Sequence, residues 1–516
     1  MKGFCEAVCD PGTISFPIAH SIPGKRLPEA GSCYPVRIAP RVAGGGPGNT
    51  LSKAIHSRAV IISSIILLLL VVLTSPASSQ SYKSMSKLVK SDLEFAASQY
   101  KIMMANTPDS VMPRNYNPKD KKFVTSKTSW WTSGFYPGSL FYIYEFTHDT
   151  AILAEATRRL GILEKEKFHT KDHDLGFMIF NSFGNAYRIT KKEEYKKVVL
   201  TASETLTRRY RPILHSMQSW DSNASYRSPV IIDNMMNLEM LCWSADEIRE
   251  PKYKVIAIDH TETAMKNHYR PDFSSYHVVD YNPQTGAVLN KKTAQGYADE
   301  SAWARGQSWG LYGFTSMYRF TREPRYLAQA RGIAQFILHH PNMPKDKIPY
   351  WDFNAPDIPN TYRDVSAAAI LASALLELGR YVDAGERNEY VSTAATILKN
   401  LSGKKYMSGK GENGGFILKH SVGAVPYNSE VDFSLTYADY YFLEALLRMQ
   451  KWYLMISVND IDGSGPVDGK YLIRDKELKK AMRKKSRKIK SGNWEFHDLD
   501  LRRPFEPSAT RPSPVE

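Results

Sequence analysis

Cysteine is scarce in this 516-residue chain, which has only Cys5, Cys9, Cys33 and Cys242. A chain that lost its first 79 residues would keep only Cys242 and could form no internal disulfide. Cys242 lies in an apolar run, which is typical of a small core residue. The Cys and His spacing of a metal site is also absent. These absences exclude a disulfide scaffold and give no reason to expect a bound metal.

The middle of the chain has little excess of positive over negative charge, although the whole chain carries a net charge of +15. Residues 1–79 hold seven Lys/Arg against three Asp/Glu, and residues 451–516 hold fifteen against ten. Residues 80–450 hold forty-six against forty, which leaves only +6 for the central region. We therefore expect no nucleic-acid partner, although local positive charge in a cleft would still suit an acidic ligand.

Apolar runs long enough to span a membrane are lacking as well. The run Ala59–Leu73, AVIISSIILLLLVVL, has fifteen residues, whereas a membrane helix needs about 20. Lys53 and Arg58 precede it and the small residues Ala77-Ser78-Ser79 follow, which predicts a signal peptide and a mature start near Gln80. The protein is then exported, to the periplasm or outside the cell, with no stable membrane anchor. An uncleaved anchor is the disfavoured alternative, because the run is short.

The depth of this leader and the composition of the two ends define the predicted domains. Fifty residues precede the leader, whereas a start near Leu51 would give a conventional short basic segment before it. Residues 1–79 are therefore read as an upstream extension plus signal peptide. Residues 80–450 are read as one folded domain, and residues 451–516 as a basic, flexible tail with eleven Lys/Arg between Lys470 and Lys490.

A repeated phrase in residues 80–450 predicts the architecture. A basic or Thr-containing turn is followed by Glu or Pro and then by a Tyr that opens an amphipathic helix, as in ITKKEEYKKVV, IREPKYKVIA, FTREPRYLAQA and AGERNEYVSTA. The tyrosines are Tyr195, Tyr253, Tyr326 and Tyr390, and FTHDTAILAEA near Ala151 is a degenerate copy. The spacings of 58, 73 and 64 residues fit one helical hairpin plus its connecting loop.

The two helices of each unit differ in kind. Val365–Leu378 is apolar nearly all round, between a predicted cap at Asp364 and Gly379, whereas the helix that begins near Tyr195 is apolar on one side. A helix that is apolar all round must be covered on every side, so alternation predicts an inner ring wrapped by an outer ring. We expect an all-α toroid of about six hairpins, with an open solenoid as the alternative.

Four dense motifs interrupt the repeats where loops at one rim should fall. They are SWWTSGFYPGSLF at 129–141, HDLGFMIFNSFGN at 173–185, VIIDNMMNLEML at 230–241, and the run from HVVDYNPQTG at 277 to WARGQSWGLYGF at 303–314. Aromatic faces beside carboxylates are typical of a sugar site, although any single tryptophan among Trp130, Trp131, Trp303 and Trp309 can equally be a core aromatic.

Two carboxylates in these motifs are candidates for proton transfer. Asp233 follows VII, and such an apolar setting raises a carboxyl pKa toward the range of a general acid. Its alternative explanation is the N-cap of a helix. Asp174 in HDLG can equally be a turn residue.

The motifs HDLGF, IIDNMMNLEML, HVVDYNPQTG, ADESAWARGQSWGLYG, YRDVSAAAILASALLELG and YADYYFLEALLR occur in this order across almost all of residues 80–450. Together they resemble glycoside hydrolase family 88, the unsaturated glucuronyl hydrolases. The resemblance implies an (α/α)6 barrel with no cofactor and no metal. It also implies protonation of C4 and addition of water at C5 of an unsaturated uronic acid, which differs from ordinary hydrolysis by paired carboxylates.

The resemblance also implies roles for individual residues. Asp233 matches the general acid and base, and Asp174 matches the second carboxylate, which helps to position the ring and stabilise charge. Substrate-contacting positions are matched by His277, Gln295, Trp303, Arg305, Trp309, Trp131, His173 and Trp220. The loop at 419–432, KHSVGAVPYNSEVD, has Ser421 but no Lys after it, which sets it apart from relatives that recognise a sulfated second sugar.

Three other functions stay open at this stage. They are an unsaturated rhamnogalacturonyl hydrolase, a polysaccharide lyase on a similar toroid, and a noncatalytic carbohydrate-binding protein. No motif indicates the oligomeric state, or the polysaccharide from which the substrate oligosaccharide is made.

Overall fold

Six helix pairs form a ring in the computed structural model, which describes residues 76–454, with side chains from residue 83 onward. The outer helices are α1 (Pro76–Asn106), α3 (Thr150–Leu163), α5 (Glu193–Thr207), α7 (Pro251–Asn267), α9 (Pro324–His339) and α11 (Ala384–Leu401). The inner helices are α2 (Phe135–Thr147), a π-helix (Gly176–Gly184) that continues into α4 (Asn185–Thr190), α6 (Leu238–Ile248), α8 (Ala304–Thr321), α10 (Val365–Leu378) and α12 (Thr436–Arg448).

The inner and outer helices differ in burial as their patterns predict. Every residue of α10 is buried, and so is every residue of α12. In α5 the buried apolar side chains follow one face from Tyr195 through Val198 and Ala202 to Leu206. The first and last inner helices meet, since the rings of Phe135 and Tyr440 lie 5.3 Å apart. This contact closes the ring, which confirms the toroid and excludes the open solenoid.

The repeated phrase is the turn from an inner helix to the next outer helix. His148, Lys191, Arg249 and Arg322 each end an inner helix in the left-handed conformation, with φ of 55–57°. In each turn the backbone N–H of this residue donates to the carbonyl four residues earlier, which satisfies one of the last open carbonyls of the helix. The tyrosines of the phrase are buried and anchor each outer helix against the ring.

Short antiparallel strands fill the loops, and the sequence pattern did not predict them. β5 (Pro229–Ile231), β6 (Val278–Tyr281) and β7 (Val288–Lys292) form one sheet in that order. The other strands are β1 (Met112–Asn117), β2 (Lys122–Ser126), β3 (Tyr210–Arg211), β4 (Ser216–Met217), β8 (Ser421–Ala424) and β9 (Ser429–Leu435). A second sheet has the order β2-β1-β9-β8, and β3 pairs with β4.

The predictions for the chain ends lie largely outside the described residues. These are the leader at 59–73, the start near Leu51 and most of the tail. Helix α1 begins at Pro76, before the predicted mature start near Gln80, and a π-helical turn, Met449–Leu454, continues past residue 450. Within residues 76–454, no helix combines the length and apolar character needed to cross a membrane.

Candidate active site

The sheet β5-β6-β7 brings Asp233 and His277 together. Asp233 follows β5 in a 3-10 turn, Ile232–Met236, and His277 directly precedes β6. Ile231 pairs with Val278 across the two strands, and the backbone N–H of Ile232 donates to the carbonyl oxygen of His277 at 3.1 Å. This register leaves Nε2 of His277 only 3.6 Å from Oδ2 of Asp233.

The hydrogen bonds of His277 fix its tautomer. Its Nδ1 accepts the backbone N–H groups of Ala294 and Gln295, both at 3.1 Å, so this nitrogen carries no proton. Burial lowers the pKa of His277 to about 3, and the imidazole is therefore neutral. Its single proton sits on Nε2, the nitrogen that faces Asp233.

Asp233 has the properties that its apolar sequence context predicts. Burial raises its pKa to about 6, against the opposing effects of the Arg305 charge and the nearby indole N–H of Trp309. Its Oδ2 is buried and makes no hydrogen bond within the described residues. The alternative reading of Asp233 as a helix cap is wrong, because α6 begins at Leu238 and its N-cap is Asn237.

Asp174, like Asp233, lies beside a buried histidine. Nε2 of His173 lies 3.7 Å from Oδ1 of Asp174, while Nδ1 of His173 accepts the amide N–H of Asn237 at 3.1 Å. Burial lowers the pKa of His173 to about 4, so this ring is neutral as well. Burial raises the pKa of Asp174 well above its usual value, and the negative charges of Asp172 and Asp233 raise it further.

Asn237 is a residue that the sequence reasoning did not single out. Its Oδ1 accepts the N–H of Gly176 at 2.8 Å, which leaves its Nδ2 for His173. A Cβ at Gly176 would come within 2.4 Å of this oxygen, so glycine is required for the approach. The quoted motif NMMNLEML contains Asn237, but only the π-helix packed against it reveals its part in the site.

Arg305 lies at the start of α8, where internal acceptors surround its guanidinium. Nη2 donates to Oε1 of Gln295 at 2.5 Å and to the carbonyl of Gly423 at 2.8 Å. Nη1 donates to the carbonyl of Val422 and lies 3.4 Å from Asp364. Its buried Nε has no hydrogen-bond partner within the described residues. Direct pairing of Arg305 with an anionic sugar stays a prediction, and Nε is the nitrogen left for it.

The predicted aromatic residues divide into buried and more open ones. Trp303 is buried between the His277 ring, 4.4 Å away between centroids, and the Arg305 guanidinium, 4.5 Å away. Trp309 is also buried and contacts Phe177, which in turn contacts the half-buried Trp131. The two indoles at 303 and 309 therefore form part of the wall of the site, and their contact with the sugar stays a prediction.

Three further aromatic residues contact groups around the site. Trp220 bridges by its backbone to Asp172, two residues from Asp174, and contacts Tyr226 edge-on at 5.6 Å. Trp130 is 37% exposed and is covered by Arg114 at 4.3 Å. Tyr437 was not anticipated, yet its ring lies 5.0 Å from Trp131 and 5.4 Å from the guanidinium of Arg305.

Several buried polar atoms around Asp233 have no partner within residues 76–454. Native structures satisfy most buried polar atoms, so a local cluster of open ones indicates a place for a polar ligand. In the same range, no group of three or more His, Cys, Asp or Glu side chains is arranged to hold a metal ion. The open atoms are Asp233 Oδ2, His277 Nε2, Trp303 Nε1, Arg305 Nε and Trp309 Nε1.

Comparisons with known proteins show the family of the chain. The sequence profile described as Glycosyl Hydrolase Family 88 matches residues 103–453. An unsaturated glucuronyl hydrolase of Formosa agariphila is 44% identical over 322 residues, which are 62% of this chain and 80% of that protein. One of Bacillus sp. strain GL1 is 33% identical over 344 residues, 64% of this chain and 90% of that protein.

Solved structures agree as well. The crystal structure of an unsaturated glucuronyl hydrolase specific for heparin has a TM-score of 0.69 at 44% identity, covering 70% of this chain and 97% of the other. The enzyme from Bacillus sp. GL1, responsible for the degradation of glycosaminoglycan, has a TM-score of 0.66 at 29% identity, covering 72% and 98%. The chain belongs to glycoside hydrolase family 88.

Proposed function

We propose that this protein is a glycosidase that hydrates the C4=C5 double bond of an unsaturated uronic acid at the non-reducing end of lyase-generated oligosaccharides. The observation that carries the proposal is the buried Asp233 carboxyl, with a pKa of about 6, among polar atoms that lack partners. The names of the similar proteins support the same substrate class.

The geometry suits a reaction in two halves. The protonated carboxyl of Asp233 transfers its proton to C4, and the positive charge that develops at C5 is shared with the ring oxygen. The Asp233 carboxylate then takes a proton from a water molecule that adds to C5, which restores the acid. The product is a hemiketal at C5, which opens spontaneously and releases the next sugar, so the anomeric carbon is never attacked.

The neighbouring groups have supporting roles in this proposal. The Nε2–H of His277 faces Asp233 and stabilises the carboxylate formed after the first proton transfer. A protonated Asp174 adds no negative charge, which favours entry of an anionic sugar. Gln295, His173, Trp131 and Trp220 remain predicted contacts of the sugar, while Trp303 and Trp309 shape the wall.

The rival functions make different predictions in one assay. The conjugated enol ether absorbs in the ultraviolet, so absorbance falls with time in a hydrolase and rises in a lyase that creates the double bond. Purified residues 80–516 should therefore be incubated with unsaturated disaccharides. Loss of absorbance on glucuronyl substrates supports the proposal, and loss only on rhamnogalacturonyl substrates supports that rival. Binding with no change in absorbance would leave the carbohydrate-binding alternative.

The parent polysaccharide follows from the fastest substrate in that panel. The panel should include disaccharides from hyaluronan, chondroitin, heparin, ulvan and a bacterial gum, each with and without sulfate where both exist. In the loop at 419–432, Lys419 donates to the carbonyl of Lys404, 3.1 Å away, and His420 pairs with Asp432 at 2.6 Å. We therefore expect sulfate on the second sugar to give no advantage.

We also propose that the protein is exported after cleavage of the leader at residues 59–73. Support comes from the sequence pattern of basic residues, apolar run and small residues. N-terminal sequencing of the native product should find a start near Gln80. A product that retains residues before Leu51 would contradict both the cleavage and the proposed start of translation.

A further inference from the structure

A partly buried ion pair lies next to Asp174 in the chain and has no role in the proposed chemistry. Nε2 of His169 lies 2.9 Å from Oδ2 of Asp172, and the His169 side chain is only 6% exposed. The other oxygen of Asp172, Oδ1, accepts the backbone N–H of Asp174 at 3.1 Å. One carboxylate thus connects an imidazole to the main chain of a site residue.

The surroundings favour the charged form of both residues. The pKa of His169 is raised by its hydrogen bond to Asp172. Burial acts to raise the pKa of Asp172, but the hydrogen bonds and charges around it, chiefly those of His169, together lower it. On the far side of His169, Nδ1 lies 3.9 Å from Oε2 of Glu166, and Glu166 accepts the hydroxyl of Thr128 at 2.5 Å. The other titratable or charged groups that face the pair are Lys171, His173, Asp174, and Arg209 with its partner Asp221.

We propose that His169 and Asp172 form a positioning pair for the active site, which fixes the main chain at Asp174 and places a negative charge beside the carboxyl of Asp174. Because like charges disfavour ionisation, this charge favours the protonated form of Asp174. A protonated Asp174 can donate a hydrogen bond to a sugar hydroxyl and does not repel the uronate. This inference rests on the proposed function and adds a residue pair that sets the protonation of its site.

Three variants separate this role from a purely structural one. Asp172→Asn keeps an oxygen that can accept the Asp174 N–H but loses the charge, so the ionisation of Asp174, which is separate from the limb near pH 6 set by Asp233, should move to lower pH in the profile of kcat/KM by about one unit. His169→Gln keeps a donor near Asp172 but removes the cation, so the ionisation of Asp174 should move to higher pH. Asp172→Glu retains the charge and should leave the ionisation of Asp174 near its original pH even if turnover falls. The control is Asp109→Asn, whose side chain is 96% exposed, and it should move nothing.

A second readout does not depend on activity. Carboxyl 13C NMR of aspartate-labelled protein without substrate follows the titration of Asp174, whose signal is identified by its loss in Asp174→Asn. Its midpoint should fall in Asp172→Asn and not in Asp109→Asn. An unchanged midpoint in a folded Asp172→Asn variant would overturn the inference.

The two readouts also separate this inference from the proposed function. If the wild-type protein consumes no unsaturated substrate, the proposed function fails and the NMR midpoints alone decide about the pair. If Asp172→Asn does not fold, His169→Gln and Asp172→Glu decide, and equal midpoints in both would overturn the inference.

Discussion

The protonation state of Asp233 sets the pH range in which it can act as an acid. Burial raises its pKa from 3.8 to about 6, so the protonated form persists up to mildly acidic pH and is lost above it. We expect kcat/KM for an unsaturated disaccharide to fall as pH rises beyond about 6. Initial rates at low substrate concentration across the acidic and neutral range test this. A rate that keeps rising through neutral pH would contradict the role of Asp233 as the acid.

Replacement of the same carboxyl should remove turnover without loss of the fold. Asp233→Asn keeps the shape of the side chain but cannot transfer a proton, so kcat/KM should fall by about 10²–10⁴-fold. Thermal unfolding should show no lower Tm, because a buried group that ionises with difficulty is replaced by a neutral one. Asp109→Asn serves as the exposed control. Full activity of Asp233→Asn would remove this residue from the mechanism.

At the scale of the elements, two helix caps of the same chemical type differ in what surrounds them. Asp383 caps the outer helix α11 through the N–H groups of Gly385 and Glu386. Asp364 caps the inner helix α10 through Ser366 and Ala367, and it also lies 3.4 Å from Nη1 of Arg305. The cap of the inner helix is therefore also part of the wall of the active site.

This difference predicts unequal costs for the same substitution. Asp383→Ala should lower the free energy of unfolding by about 1 kcal/mol, which is typical for a lost cap. Asp364→Ala should cost about 3 kcal/mol or more, because it also removes the carboxylate beside a buried guanidinium. Denaturant titrations of both variants give the two values. Equal losses would show that the pairing with Arg305 contributes little.

In the molecule as a whole, an ionic network that is buried at Glu377, Glu444 and Arg448 joins four inner helices of the ring. Arg319 of α8 binds Glu239 of α6 at 2.5 Å and Glu377 of α10 at 3.0 Å. Arg448, at the end of α12, lies 3.2 Å from Glu377 and 3.3 Å from Glu444. Four inner helices are therefore linked by five charged side chains.

Loss of one cation from this network should destabilise the entire ring. Arg448→Met leaves Glu377 and Glu444 with less compensation in the interior, so we expect a loss of about 3–5 kcal/mol in the free energy of unfolding. Arg325→Met, at a half-exposed ion pair with Glu262, should cost less than about 1 kcal/mol. Chemical denaturation monitored by tryptophan fluorescence compares them. Similar values for the two variants would show that the ionic network is not stabilising.

Features that depend on neighbours along the chain could be predicted from the residues alone. The apolar pattern of Val365–Leu378 indicated an inner helix, and that of the helix at Tyr195 indicated an outer one. Such patterns are visible in the sequence because the apolar face of a helix is formed by residues only three or four positions apart. The apolar residues before Asp233 likewise indicated a buried carboxyl, and the structure confirms the burial, which raises its pKa.

How distant segments meet could be seen only in the folded chain. The register of β5 on β6 places His277 beside Asp233, and β8 supplies two carbonyls to Arg305 from more than 100 residues away. Trp303 and Arg305 are buried in the wall of the site, and their contact with the sugar stays a prediction. Contacts across the ring also revealed Asn237 and the His169–Asp172 pair. No local pattern encodes such pairings, because strand register and side-chain partners are fixed by packing across the ring.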